Sequence, residues 1–221
     1  MKYGESCFDI LYLLFAVISG ILMLKKADRK AEKEMGLAAL ILGFGDAFHL
    51  VPRVLNYFIA ADFTAALGIG KLITSITMTV FYLLLYYIWR EYDHRGENRT
   101  LSVIVWSLSI VRIVLCLFPQ NAWLENGNNT TWAIIRNIPF VILGAMVCWL
   151  YYDSRKAEPK LRLMWLYIFL SFAFYIPVAV AAGIVPALGM LMLPKTVCYI
   201  LMIVSFLRVV LGNPAREKAP R

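Results

Sequence analysis

The chain has 221 residues, of which 61% are hydrophobic and 16% are charged. This composition excludes an ordinary soluble domain, in which about half of the residues are apolar and about a quarter are charged. The formal net charge of +8 would by itself fit a nucleic-acid-binding protein. The positions of the basic residues indicate membrane topology instead, and we expect no nucleic-acid partner.

Apolar runs close to the roughly 20 residues that span a bilayer recur along the whole chain. Seven such runs are present, at about 8–24, 35–58, 64–89, 99–118, 131–152, 161–183 and 186–211. Little chain is left for a domain outside the membrane, and the N-terminus lacks the features of a cleaved signal peptide. We therefore predict an all-α integral membrane protein with seven transmembrane helices in one polytopic domain, residues 1–221.

The basic residues predict the orientation of these helices. Fifteen of the 22 Lys and Arg lie in the loops after helices 1, 3 and 5 or in the tail 212–221, whereas Lys2 alone lies on the other side. By the positive-inside rule, the N-terminus is outside and the tail is cytoplasmic. We predict a multi-pass protein of the plasma (inner) membrane, with anionic lipids as neighbours of its basic loops.

Helix 2 contains the most polar stretch of any apolar run, residues 45–53. Asp46, His49 and Arg53 are spaced three and four residues apart and so share one helix face. Such side chains are costly in hydrocarbon unless they pair or line a wet cavity. Pro52 frees a backbone carbonyl in the same stretch. This face is the first candidate site.

Further charged residues lie inside the later apolar runs: Lys71 in helix 3, Arg112 in helix 4, Arg136 in helix 5 and Lys195 in helix 7. At about 1.5 Å of rise per residue, they lie roughly 8–14 Å from the outer helix ends, and Asp46 lies about 18 Å deep. With the arginine of helix 2, five cations therefore lie in the outer half of the bundle. They face at most one deep carboxylate, Asp46, near the middle of the hydrocarbon core, with Asp9 near the outer rim.

Unequal charge in a low-dielectric bundle favours the binding of an anion from outside. Arginine pairs with carboxylate or phosphate through two parallel hydrogen bonds, and lysine binds them as a point charge. No catalytic residue, metal ligand or cofactor is predicted. The predicted ligand-binding residues are Asp46, His49, Arg53, Lys71, Arg112, Arg136 and Lys195.

Structural roles remain open for the same residues. Arg53, Arg112 and Arg136 are shallow enough to reach the lipid headgroups by snorkelling. Asp46 could form an internal ion pair with Arg53 or with Lys195. A lone histidine such as His49 is often only a hydrogen-bonded core residue, although an acid one turn away favours a proton relay.

An internal repeat is indicated by four ordered matches at offsets of 124 to 126 residues. We predict a parallel 3+1+3 arrangement with repeat A at about 8–89, linker helix 99–118 and repeat B at about 131–211. This architecture is similar to that of the SWEET-type sugar transporters and the related seven-helix receptors. Seven-helix opsins share the topology. Similarity of architecture alone does not imply a function. The matches are Arg29–Glu32 with Arg155–Glu158, Ala47–Phe48 with Ala173–Phe174, Pro52 with Pro177, and Lys71 with Lys195.

Three functions from different classes follow. The first is a transporter or receptor that binds a small anionic solute between the repeats, with Asp46 and His49 carrying a coupled proton. The second is an intramembrane enzyme that acts on a lipid or phosphate ester through Asp46 and His49, although no second catalytic cluster accompanies them and we lean against an enzyme. The third, and least favoured, is a retinal-type pigment with Lys195 as the Schiff-base lysine and Asp46 as its counterion.

Overall fold

A computed structural model describes residues 2–93, 98–127, 129–181 and 185–212. Its seven α-helices are α1 (Lys2–Lys26), α2 (Lys30–Phe58), α3 (Thr64–Tyr92), α4 (Arg99–Leu117), α5 (Thr130–Asp153), α6 (Met164–Ala181) and α7 (Met192–Leu211). Short 3-10 helices lie at Pro119–Asn121, Trp123–Glu125, Pro159–Leu161 and Pro186–Leu191. Within the described ranges, seven helices are long and apolar enough to cross a membrane. The predicted number is confirmed, and it indicates a polytopic integral membrane protein.

Three predicted helix boundaries are wrong by five or six residues. The second helix, α2, begins at Lys30 and not near residue 35. The first helix begins at Lys2 and not near residue 8, so that Glu5 becomes part of it. The last apolar run begins as a 3-10 helix, and α7 starts only at Met192. Pro194 then lies in the first turn of α7, where proline is tolerated because its missing N–H would have no helical partner. Most of the predicted tail, residues 213–221, lies outside the described residues.

The helices form one bundle. Each helix packs against the next along the chain, and contacts of α1 and α2 with α7 and of α3 with α5 close the structure. Aromatic rings fill the centre, where Tyr82 packs edge-on against Phe140 at 5.2 Å between centroids. The exterior carries many exposed large apolar side chains, among them Leu11, Leu14 and Ile18 of α1. An extensive apolar exterior is typical of a lipid-facing surface.

We call the end of the bundle at which α1, α3, α5 and α7 begin the N-terminal face. Contacts across it include the ion pair between Glu5 and Arg53 and a hydrogen bond from Lys71 to the loop between α4 and α5. The sequence predicts that this face is outside the cell. That orientation and the parallel repeat both stay predictions.

Candidate functional site

Two glycines bring α2 and α3 close together beside the predicted site. A Cβ on Gly45 would lie 2.1 Å from a side-chain atom of α3, and a Cβ on Gly70 would lie 2.7 Å from the Cα of His49. Small residues permit such close approach between membrane helices. The next residues in the two helices are Asp46 and Lys71, so the same packing fixes the relative positions of two predicted site residues.

Asp46 is connected to α1 and α7. Its Oδ2 atom accepts a hydrogen bond of 2.7 Å from the hydroxyl of Tyr12. Lys195 interacts with it electrostatically from α7, although the described residues show no ion pair between the two within 4.0 Å. The alternative of an internal pair between Asp46 and Arg53 is wrong, because the partner of Arg53 lies on α1.

Lys195 lies between two aromatic rings. Its Nζ atom is 5.0 Å from the ring centroid of Tyr175 on α6 and 5.1 Å from that of Tyr199 on α7. Both distances are within the roughly 6 Å at which a cation is attracted to an aromatic face. The rings hold the ammonium group inside the bundle. Its Nζ donates no hydrogen bond to any of the described residues, so it is available to another acceptor.

Arg53 forms an ion pair that the sequence did not predict. Its Nη2 group contacts the carboxylate of Glu5, and its Nε donates to the hydroxyl of Tyr57 at 3.4 Å. Tyr57 in turn donates to the other oxygen of Glu5 at 3.1 Å. Because Glu5 neutralises its charge, Arg53 contributes less to an anion site than we expected.

Arg112 is almost completely buried, with 1% of its surface exposed. Its Nη1 donates to the backbone carbonyl of Arg136 at 3.1 Å and to Oδ1 of Asn137 at 2.8 Å, and its guanidinium lies 3.7 Å from the ring centroid of Phe140. Its Nε is buried without a hydrogen-bond partner among the described residues. The alternative in which Arg112 snorkels to the lipid headgroups is therefore wrong.

Arg136 also points into the protein. It is 8% exposed, its Nη1 donates to Oδ1 of Asn121 at 2.7 Å, and its guanidinium lies 4.4 Å from the ring centroid of Trp123. Lys71 contacts the same loop through a 2.9 Å hydrogen bond to the carbonyl of Asn126. The loop between α4 and α5 thus supplies neutral acceptors to both Lys71 and Arg136. Because the side chain of Arg136 points inward, its snorkelling to the lipid headgroups is excluded.

His49 interacts with the backbone of Leu67 on α3. It is partly buried, and its Nδ1 has no hydrogen-bond partner among the described residues. Among the described residues, Asp46 accepts a hydrogen bond from Tyr12, and none from His49 is present. The proton relay between Asp46 and His49 stays a prediction.

Asn137 and Tyr175 belong to the site, although sequence reasoning did not assign them to it. Oδ1 of Asn137 accepts from Arg112 at 2.8 Å and from the hydroxyl of Tyr175, also at 2.8 Å. Tyr175 then contacts Lys195 through its ring. A continuous chain of contacts therefore joins α4, α5, α6 and α7.

The charges in this region do not balance. Four buried or partly buried cations lie here, and none of them forms an ion pair among the described residues. Every hydrogen bond described above for three of them goes to a neutral acceptor. The fourth, Lys195, contacts two neutral rings. We call this set the cation cluster: Lys71, Arg112, Arg136 and Lys195.

No protein-family model matches the chain, no curated protein is detectably similar to it, and no solved structure matches it. Any inference about function therefore rests on the site alone.

Proposed function

We propose that the protein is a polytopic membrane protein that binds a small anion, a carboxylate or a phosphate, within the cation cluster. The observation that supports the proposal most strongly is the excess of positive charge that the described side chains leave without a matching carboxylate. Buried charges in membrane proteins almost always pair with one another or mark a pathway for a solute. An anion that enters from the N-terminal face would supply the missing countercharge.

The geometry of Arg112 fits this role. Within the part of the chain that the structure describes, both of its hydrogen bonds come from Nη1 and its Nε has no partner. An arginine can therefore direct Nε and its second terminal nitrogen at two oxygens of one carboxylate or phosphate. Phe140 holds the plane of the guanidinium from one side, which limits the rotation that would otherwise oppose such binding.

Lys195 would complete the site as a point charge. Among the described residues it contacts two aromatic faces and interacts electrostatically with Asp46. Its N–H groups can therefore donate to an anion without breaking a hydrogen bond to these residues. Lys71 differs, because it already donates to a backbone carbonyl. We assign the direct contacts with the anion to Lys195 and Arg112. Lys71 and Arg136 would attract the anion at longer range and hold the loop between α4 and α5 in place.

A transporter and a receptor could both bind an anion at the cation cluster. A transporter would use Asp46, placed between Tyr12 and Lys195, as the group that carries a coupled proton when the anion leaves. A receptor would instead couple the bound anion to a change at the opposite end of the bundle. Flux of the labelled anion into proteoliposomes that contain the purified protein separates the two.

Thermal unfolding of the purified protein in detergent tests the proposal. Small carboxylates, inorganic phosphate and a short-chain phospholipid form the ligand panel, so that soluble anions and lipid headgroups are distinguished. A ligand at about 100 times its Kd stabilises a one-site protein by about 2.7 kcal/mol. We expect such stabilisation in the native chain and its loss in Lys195→Met, which keeps the apolar stem between the rings.

Lys2→Met is the matched control, since Lys2 is an exposed cation on the same face. The same stabilisation in Lys195→Met as in the native chain would contradict the proposal, and so would the absence of any response to the whole panel.

A retinal-type pigment is the second candidate, because Asp46 interacts electrostatically with Lys195 and two tyrosine rings flank the amine. Addition of retinal to the purified protein would then produce a visible absorbance band that Lys195→Met lacks. No band means that Lys195 is not a Schiff-base lysine.

A further inference from the structure

A cavity of about 260 Å³ opens between α1, α2 and the start of α7, on the N-terminal face. It is smaller than the roughly 300–1,000 Å³ of sites for drug-sized ligands, and it suits a solute of a few heavy atoms. None of the four residues of the cation cluster lines it. Its lining is Glu5, Asp9, Leu50, Arg53, Gly189, Met190, Met192, Leu193 and Thr196.

Asp9 is the unusual member of this lining. Only 4% of its surface is exposed, and its Oδ2 atom is buried without a hydrogen-bond partner among the described residues. A buried carboxylate that lacks a partner is strongly unfavourable. Arg53 interacts electrostatically with Asp9 but forms its ion pair with Glu5.

The cavity therefore carries a net negative charge. Glu5 and Asp9 contribute two carboxylates, and Arg53 contributes one cation, which leaves one negative charge without an ion-pair partner in the lining. The hydroxyl of Thr196 donates to the carbonyl of Met192 at 3.0 Å, so its oxygen remains an acceptor. One carboxylate oxygen and one hydroxyl oxygen are suited to the N–H donors of an ammonium group.

The remaining walls are apolar. Leu50 comes from α2, and Met190, Met192 and Leu193 come from the segment that opens α7. Methionine side chains are flexible and polarisable, and they adapt to small apolar groups. Fewer than three metal-ligating side chains gather here, since no group of three or more His, Cys, Asp or Glu able to hold a metal occurs in the described ranges.

From this combination we infer that the cavity is a binding site for a small primary ammonium compound, with the ammonium on Asp9 and a short alkyl portion against the methionines and leucines. The inference is independent of the proposed anion site, because the two share no residue. A zwitterion such as an amino acid and a simple alkylamine carry the same ammonium chemistry, and the experiment separates them.

Isothermal titration of the purified protein with ethylammonium, glycine and tetramethylammonium tests the inference. Ethylammonium is expected to bind the native chain at least tenfold more tightly than Asp9→Asn, since the variant keeps the shape of the side chain and loses its charge. Tetramethylammonium is not expected to bind, because it has no N–H to donate. Glycine will bind as tightly as ethylammonium if Arg53 receives its carboxylate, and more weakly if the site accepts simple amines.

Asp62→Asn is the matched control, because it removes an exposed carboxylate from the same face and should leave ethylammonium affinity unchanged. Lys195→Met should also leave it unchanged, which separates this result from a failure of the anion proposal. Thermal unfolding of Asp9→Asn without ligand establishes that the variant folds. Equal affinity of ethylammonium for Asp9→Asn and the native chain would overturn the inference, as would equal binding of tetramethylammonium or no binding of ethylammonium to the native chain.

Discussion

Gly70→Ala probes the packing that holds the candidate site together. An added Cβ would lie 2.2 Å from the carbonyl oxygen of Phe48 and 2.7 Å from the Cα of His49. Both contacts are with backbone, so no side-chain rotation can relieve them, and α2 must move away from α3. Overpacking of this kind costs about 1–3 kcal/mol, and the better helix propensity of alanine returns up to about 1 kcal/mol.

We therefore expect Gly70→Ala to destabilise the protein by up to about 2 kcal/mol, measured as a lower Tm and a lower midpoint of denaturation in detergent. Gly4→Ala is the matched control, because a Cβ there meets nothing within 4 Å. That variant should unfold at the native temperature or slightly above it. A Gly70→Ala protein as stable as Gly4→Ala would refute the argument that α2 and α3 touch through this glycine.

Three further predictions follow from the contacts of the site. A double-mutant cycle with Glu5→Gln and Arg53→Gln should give a coupling free energy of roughly 1 kcal/mol, as for a partly exposed ion pair; additive effects on denaturation midpoints would mean that the pair is not formed. Asn137→Leu removes the acceptor of a buried arginine and should cost more than the roughly 1–3 kcal/mol of a neutral unpaired group, again by denaturation; a native-like midpoint would contradict it. Lys71→Met should increase amide hydrogen exchange in the loop at 119–127, while unchanged exchange there would show that its hydrogen bond to Asn126 does not anchor the loop.

The sequence predicted the seven helices because the thickness of hydrocarbon sets the length of each apolar run. The same reliance on apolar runs explains why Glu5 was not assigned to the first helix. The polar residues before the first run carry no hydrophobic signal, so a helix that continues through them resembles a loop. The ion pair between Arg53 and Glu5 could therefore not be predicted. The sequence suggested a pair between Arg53 and Asp46 instead.

The depth of each charged residue in the membrane was predictable from the sequence. The side of the helix on which its side chain lies, facing the protein or the lipid, was not. Rise per residue placed Arg112 and Arg136 near the outer surface, which allowed both an inward and a lipid-facing orientation. Packing of neighbouring helices decides between them, and the structure turns both side chains inward. Asn137 and Tyr175 give no signal in the sequence, because neutral acceptors become noticeable only when a buried cation is found beside them.

Native mass spectrometry of the purified protein, incubated with the anion that stabilises it most, tests the central claim directly. The cation cluster predicts one bound anion per native chain. It also predicts much weaker retention of the anion by Asn137→Asp, because a carboxylate beside Arg112 would pair with one of the two cations that contact the anion directly. Retention of the anion by Asn137→Asp as by the native chain would contradict the claim that unbalanced positive charge binds it.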